Sequence, residues 1–275
     1  MTHLLARTVY KIGFSTKNEN KGENGVKVTK MKNSTYEEIR TALLELGNPK
    51  KAESSKRFFK TGKGKYGHGD KFIGVTVPEQ RAVAKRFVYA SLSTIEQLLE
   101  SEIHEFRLTG LLILVEQFKQ TKAKGTKIKE MKQKQIFNFY LAHIDHINNW
   151  DLVDLSAPNI IGKYLSDKDK RFLYRLAESS DLWKKRIAIV ATYTFIRNGI
   201  FEPTLEISEK LLEDKLDLIH KAVGWMLREV GKKDASVLEK FLNKHCKKMP
   251  RTMLRYSIER FPEAKRKHFL VCSKA

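Results

Sequence analysis

The chain has 275 residues, room for one large or two ordinary domains, and its 41% hydrophobic content with 15 Phe, 9 Tyr and 3 Trp can fill a core. Its 53 Lys and Arg against 32 Asp and Glu give a formal charge of +21 and a pI near 9.8, which points to a polyanionic partner, nucleic acid before an anionic membrane surface, since cations that displace counterions from phosphates gain binding free energy. No apolar run approaches the ~18 residues of a membrane span, and Cys246 and Cys272 frame neither a disulfide scaffold nor a structural zinc site, so an integral membrane protein is excluded and a reducing, cytoplasmic compartment is expected.

Residues 1 to 32 read as a disordered extension, because Thr16 to Lys30 is rich in Lys, Asn, Gly and Glu and shows no helical period. Residues 33 to 275 read as one domain. Helix signals start at Ser34, where Ser34-x-x-Glu37, and later Thr76-x-x-Glu79 and Ser93-x-x-Glu96, fit the capping box. Apolar periodicity predicts helices near residues 34–46, 50–59, 77–90, 93–100, 103–121, 130–146, 148–165, 168–178, 182–197, 204–213, 217–231, 234–245, 250–259 and 262–269. No strand run competes. So many short helices with short connections cannot form one simple bundle, and a stack of helix pairs is the economical all-α architecture. Asn149–Leu165, Leu182–Arg197 and Leu218–Gly231 resemble one another at spacings of about 35 to 40 residues, the period of HEAT-like repeats.

Two stretches interrupt the helices. Thr61 to Gly74 carries five glycines and, counting Lys60, the four lysines Lys60, Lys63, Lys65 and Lys71. It must be a loop, either a basic one that grips phosphates or a plain connector. Its Gly62, Gly64 and Gly67 spell GxGxxG, but no apolar strand precedes them, so a dinucleotide site is not expected. Gln117 to Lys134 carries seven lysines and reads as a polar linker or a second backbone contact.

Chemistry gathers in the second half. In Trp150-Asp151-Leu152-Val153-Asp154, a helix places Trp150 and Asp154 about 40° apart on one face. An indole and a carboxylate together suit positive charge, in a chain otherwise built to attract negative charge. Around Asp217 to Gly231 a helical wheel gathers Ile219, Val223, Met226, Leu227 and Val230 on one side and puts Trp225 roughly opposite, beside Lys221 and Arg228. The segment from Leu182 is apolar nearly all round, with Arg186 in its first turn, so that guanidinium needs a partner. Either it forms a structural salt bridge with Asp151 or Asp154, or it meets a phosphate at a site; Lys184 and Lys185 beside it suit a concave basic surface. His143 and His146 flank Asp145, but further metal ligands are not placed by the sequence.

These residues resemble the AlkD-type DNA glycosylases, DNA alkylation repair enzymes built from HEAT-like repeats. Trp150-x-x-x-Asp154, Arg186 before Ile187-Ala188-Ile189, and Lys221-Ala222-Val223-Gly224-Trp225-Met226-Leu227-Arg228-Glu229 match the signature segments in order and separation, as does Val77-Pro78-Glu79-Gln80-Arg81. The resemblance runs from about Ser34 to Phe269. The loop at 61–74 is longer than in the best-known members of that family, and residues 1–32 have no counterpart there. The resemblance implies an all-α HEAT-like solenoid with a concave basic cleft. It implies a monofunctional glycosylase that removes alkylated purines such as 3-methyladenine and 7-methylguanine from double-stranded DNA, as a monomer, without cofactor or metal. Trp150 and Trp225 become aromatic walls, Asp154 the catalytic carboxylate and Arg186 its neighbour near the DNA backbone; recognition is implied to proceed without swallowing the lesion into a deep pocket. Lys184, Lys185, Lys221 and Arg228, with Lys60, Lys63, Lys65 and Lys71, are the DNA-binding candidates. A non-catalytic module for damaged or branched nucleic acid is the alternative, and a protein-binding scaffold leaves the charge unexplained.

Overall fold

The computed structural model describes residues 34–121 and 126–272. The extension expected at residues 1–32 lies outside them. Among the described residues the regular structure is helical, with one isolated parallel bridge between Lys71 and Ile103 and no named strand. In chain order the helices are α1 (Tyr36–Glu45), α2 (Pro49–Phe58), α3 (Val77–Arg86), α4 (Leu92–Leu99), α5 (His104–Gln120), α6 (Thr126–Ala142), α7 (Trp150–Ser156), α8 (Arg171–Ala177), α9 (Leu182–Ala191), α10 (Tyr193–Arg197), α11 (Glu202–Lys210), α12 (Asp217–Lys233), α13 (Ala235–His245), α14 (Arg251–Ser257) and α15 (Glu263–Cys272).

Local chemistry sets where they start. Thr76 and Glu79 form the expected capping box. The other two expected boxes shift: Thr35 with Glu38 caps α1, and Ser91 caps α4 by accepting the Thr94 N–H. Ser93 loses the role because the chain enters α4 two residues earlier, which frees Glu96 to pair with His143 Nε2 at 2.9 Å. Asp181 caps α9, taking the N–H groups of Trp183 and Lys184 at 2.8 Å each.

Packing follows chain order: α3 and α4 lie on α5, α5 on α7, α7 on α9, α9 on α8 and α12, and α12 on α13 and α14. α5 is buried continuously from His104 to Val115, and α9 from Arg186 to Ala191, so these two helices hold the centre. α7 gives way to one π turn, Pro158–Gly162, in which the Gly162 N–H reaches Ala157 O at 2.9 Å. The tightest seam joins α12 to α14. A Cβ on Gly224 would stand 2.5 Å from both Met253 O and Tyr256 Cβ, so only glycine lets these helices meet.

The glycine-rich segment is a loop of turns, as expected, and it is held at its C-terminal end. Asn48 N donates to Ile73 O at 2.8 Å, His104 N to Lys71 O at 2.8 Å, and the Glu105 carboxylate accepts the N–H groups of Ile73 and Gly74. Gly74 is required there: its φ is +82°, and a Cβ would sit 2.1 Å from Asn48 O. Cys246 and Cys272 are joined as a disulfide, a cross-link between α15 and the end of α13 that the expected reducing compartment did not foresee. No helix among the described residues is long and apolar enough to cross a membrane.

Candidate active site

Asn149 caps α7 through its side-chain oxygen, which accepts the Trp150 N–H at 2.8 Å. Trp150 therefore opens the helix and Asp154 follows on the same face. Both line a cleft of about 290 Å³, and Trp225 of α12 lines it too. That space is built locally. Its physical origin is a set of side chains from α2 and the glycine-rich loop that wall in the face beside α7. Phe59 stacks on Trp150 with centroids 5.2 Å apart and planes 14° from parallel, while Phe58 meets the same indole edge-on at 5.6 Å. Phe72 and His104 lie against Phe59 at 5.0 and 4.8 Å. The lining is chiefly apolar, with Arg81 and His104 as its basic members.

Trp225 points away from the apolar stripe of α12, but that direction is not solvent: the residue is 3% exposed and packs near the Tyr193 ring at 6.2 Å. Inner helices of such a stack are covered on two sides, which the wheel of a single helix cannot show.

Of the two readings of Arg186, the structure adopts the salt bridge. The guanidinium is fully buried and grips Asp154 as a fork, Nε to Oδ1 and Nη2 to Oδ2 at 2.9 Å each, with Nη1 donating to Leu218 O at 2.7 Å. Burial pushes the Asp154 pKa above its ordinary value, and the Arg186 charge pulls against it. Because both carboxylate oxygens accept from the fork, this geometry holds Asp154 as the anion.

A second buried cluster stands behind Trp150. His104 Nε2 faces Asp151 Oδ2 at 2.8 Å and Nδ1 faces Asp70 Oδ2 at 3.4 Å. Arg107 donates to Asp70 Oδ1 at 2.6 Å, and Asn149 Nδ2 to Asp70 Oδ2 at 2.8 Å. Asp151 belongs to α7 and Asp70 to the glycine-rich loop, so His104 ties the loop to the helix that carries Trp150 and Asp154. Burial alone would lower its pKa; the charge and hydrogen bond of Asp151 and the hydrogen bond of Asp70 overcome that and raise it to about 9.

The DNA-binding candidates divide sharply. Lys184 pairs with Asp145 at 2.9 Å, Lys185 with Asp214, Lys221 with Asp217 at 2.6 Å and Lys71 with Glu102. Arg228 is buried and pairs with Glu259 and Glu229, so it is not the surface cation its place beside Trp225 implied. Lys60, Lys63 and Lys65 stand exposed on the loop, with no carboxylate within ion-pair distance among the described residues. Among the described residues no group of three or more His, Cys, Asp and Glu is arranged for a metal; His143 and Asp145 are spent on Glu96 and Lys184.

Phe58, Phe59, Phe72, His104 and Arg81 reach the cleft without having been singled out as site residues. Arg81 sits in a segment the resemblance covers, but nothing in its spacing marked it. The aromatic pair Phe58-Phe59 closes α2 and offers no signal that it will meet Trp150.

The family described as DNA alkylation repair enzyme matches residues 39–261 of the chain. Among solved structures, a predicted DNA alkylation repair enzyme from Enterococcus faecalis is similar in fold, with a TM-score of 0.61 and 16% identity over 79% of this chain and 97% of that one. No curated protein matches the chain.

Proposed function

The chain belongs to the DNA alkylation repair enzyme family, and from that membership we propose that it is a monofunctional DNA glycosylase. It hydrolyses the N-glycosidic bond of alkylated purines such as 3-methyladenine and 7-methylguanine in duplex DNA and leaves an abasic site. It works as a monomer in the cytoplasm or on the nucleoid, without cofactor, and its helices, packed in chain order, form a HEAT-like solenoid. The observation that carries this reading is the convergence of Trp150, Asp154 and Trp225, from two distant helices, on one cleft.

An alkylated purine carries positive charge, so it departs neutral and needs no general acid. The sugar is left as an oxocarbenium-like cation that water traps. Asp154 is the catalytic residue, placed to stabilise that cation. An isolated carboxylate about 4 Å away at an effective dielectric near 20 is worth about 4 kcal/mol. Here Arg186 stands behind it, and a guanidinium about 8 Å from the cation takes back about 2 kcal/mol. The net, about 2 kcal/mol, is roughly 30-fold in rate. Arg186 is a positioning residue, fixing both the orientation and the ionisation of Asp154. The indoles add cation–π attraction of about 0.5 to 2 kcal/mol each where they face the cationic nucleotide.

Duplex DNA containing 7-methylguanine tests the reading, with free base and alkali-labile sites as readouts. Wild type is expected to release base, and Asp154→Asn to release it roughly 30-fold more slowly. Binding without release by wild type selects the non-catalytic module instead, and full activity in Asp154→Asn removes the carboxylate from the mechanism.

A further inference from the structure

The carboxylates around the cleft are all satisfied within the protein. Asp154 is held by Arg186, Asp151 by His104, and Glu105 by the Ile73 and Gly74 N–H groups. Lys184, Lys185, Lys221 and Arg228 are likewise occupied by Asp145, Asp214, Asp217 and Glu259. Arg81 breaks the pattern. It lies on α3, lines the cleft together with Trp150, Asp154 and Trp225, and is half-buried. Among the described residues no carboxylate comes within 4.0 Å of its guanidinium. Burial lowers its pKa, and Glu116, acting from beyond ion-pair distance, opposes that only in part. A cation desolvated at a cleft wall without a partner costs free energy that packing alone does not return. An anion entering the cleft from outside removes that cost, and a guanidinium fork fits the two free oxygens of a phosphodiester better than any other anion DNA offers.

We infer that Arg81 is the phosphate anchor of the cleft: it clamps one backbone phosphate next to the damaged nucleotide and so fixes the register in which that nucleotide's sugar meets Asp154. The inference rests on the glycosylase reading for the identity of the duplex, and goes beyond it in naming the residue that sets the register. It also relieves Lys185 of that task, since it would have to give up the buried carboxylate of Asp214 to take a phosphate.

The experiment uses the full chain and duplexes that carry a single methylphosphonate, a neutral phosphate, at successive positions around one 7-methylguanine. Wild type, Arg81→Gln and Arg81→Lys are compared for affinity, for salt dependence and for base release. Wild type is expected to lose about tenfold in affinity at one methylphosphonate position, and Arg81→Gln to bind unmodified duplex about tenfold more weakly, with a salt slope smaller by about one. At that same position the methylphosphonate should cost Arg81→Gln nothing further. Arg81→Lys, which keeps the charge and loses the fork, should fall between the two. The melting temperature of Arg81→Gln should not drop, because no internal partner is lost. An unchanged salt slope, equal losses in Arg81→Gln at every methylphosphonate position, or a lower melting temperature with normal DNA binding each overturn the proposal. Failure of the glycosylase reading looks different: wild type would show the single sensitive phosphate yet release no base.

Discussion

Raising the pH should loosen this protein through one residue. Both ring nitrogens of His104 face carboxylates, Asp151 at 2.8 Å and Asp70 at 3.4 Å. An ionised carboxylate only accepts, so both nitrogens must carry protons and the ring is an imidazolium. The groups around it are Asp70 from the loop, Asp151 from α7, Arg107 from its own helix and Asn149, with the Phe59 and Phe72 rings on its faces. Its pKa stands at about 9 in the folded chain against an ordinary 6.5. A raised folded pKa means the stabilisation is complete below 6.5 and is lost as pH climbs through 9. At about 1.4 kcal/mol per pH unit, the gap corresponds to about 3 kcal/mol, a large share of the stability of an ordinary domain. Urea melts of wild type and His104→Gln between pH 6 and 9.5 measure it. The difference between the two proteins should be greatest at pH 6 and should shrink by about 3 kcal/mol by pH 9.5. Groups away from His104 contribute equally in both proteins, so the difference isolates the imidazolium. Parallel curves across the window would refute the reasoning. Because Asp151 shares α7 with Asp154, base release under the proposed function should fall over the same range in wild type.

Two other outcomes follow from geometry already described. Gly224→Ala forces a methyl into the α12–α14 seam, where the nearest atoms include a backbone carbonyl that cannot swing aside; it should destabilise by about 1 to 3 kcal/mol in a urea melt, and a neutral result would mean that the seam can open. Replacing Lys63 and Lys65 together with Ala should reduce the salt slope of duplex binding by about two without changing the melting temperature, and an unaltered slope would make the loop a connector.

The helices were legible because their signals are local. Apolar period, the Thr76–Glu79 cap and the break before Val77 lie within a few residues of what they specify. The Trp150–Asp154 pairing was legible for the same reason, one helical turn being enough to place both side chains on one face. What the sequence leaves open is which distant residue answers a given charge. Arg186 demanded a partner, but choosing Asp154 over Asp151 depends on how α7 and α9 cross. Asp151 instead meets His104, and Asn149 serves at once as the cap of α7 and as a donor to Asp70, 79 positions away. Trp225 shows the limit most plainly: its direction from the α12 axis was readable, but whether water or protein lay there depends on neighbouring helices. For Lys184, Lys185, Lys221 and Arg228 the sequence likewise hides the acid that each one meets, since a cation beside a site and one paired with an acid look identical in one dimension.

The pinned C-terminal end of the glycine-rich loop bears on how such a protein can diversify. Asn48, His104 and Glu105 fasten the chain near residues 71 to 74, so the exposed tip from Gly62 to Lys65 can change length or charge without shifting the aromatic wall. Doubling the length of a flexible loop costs only about 0.6 kcal/mol of closure entropy, far less than disturbing a buried ion pair. Descendants of this chain, or an engineer, can therefore change the charge and length of the tip while Trp150, Asp154 and Trp225 stay where they are.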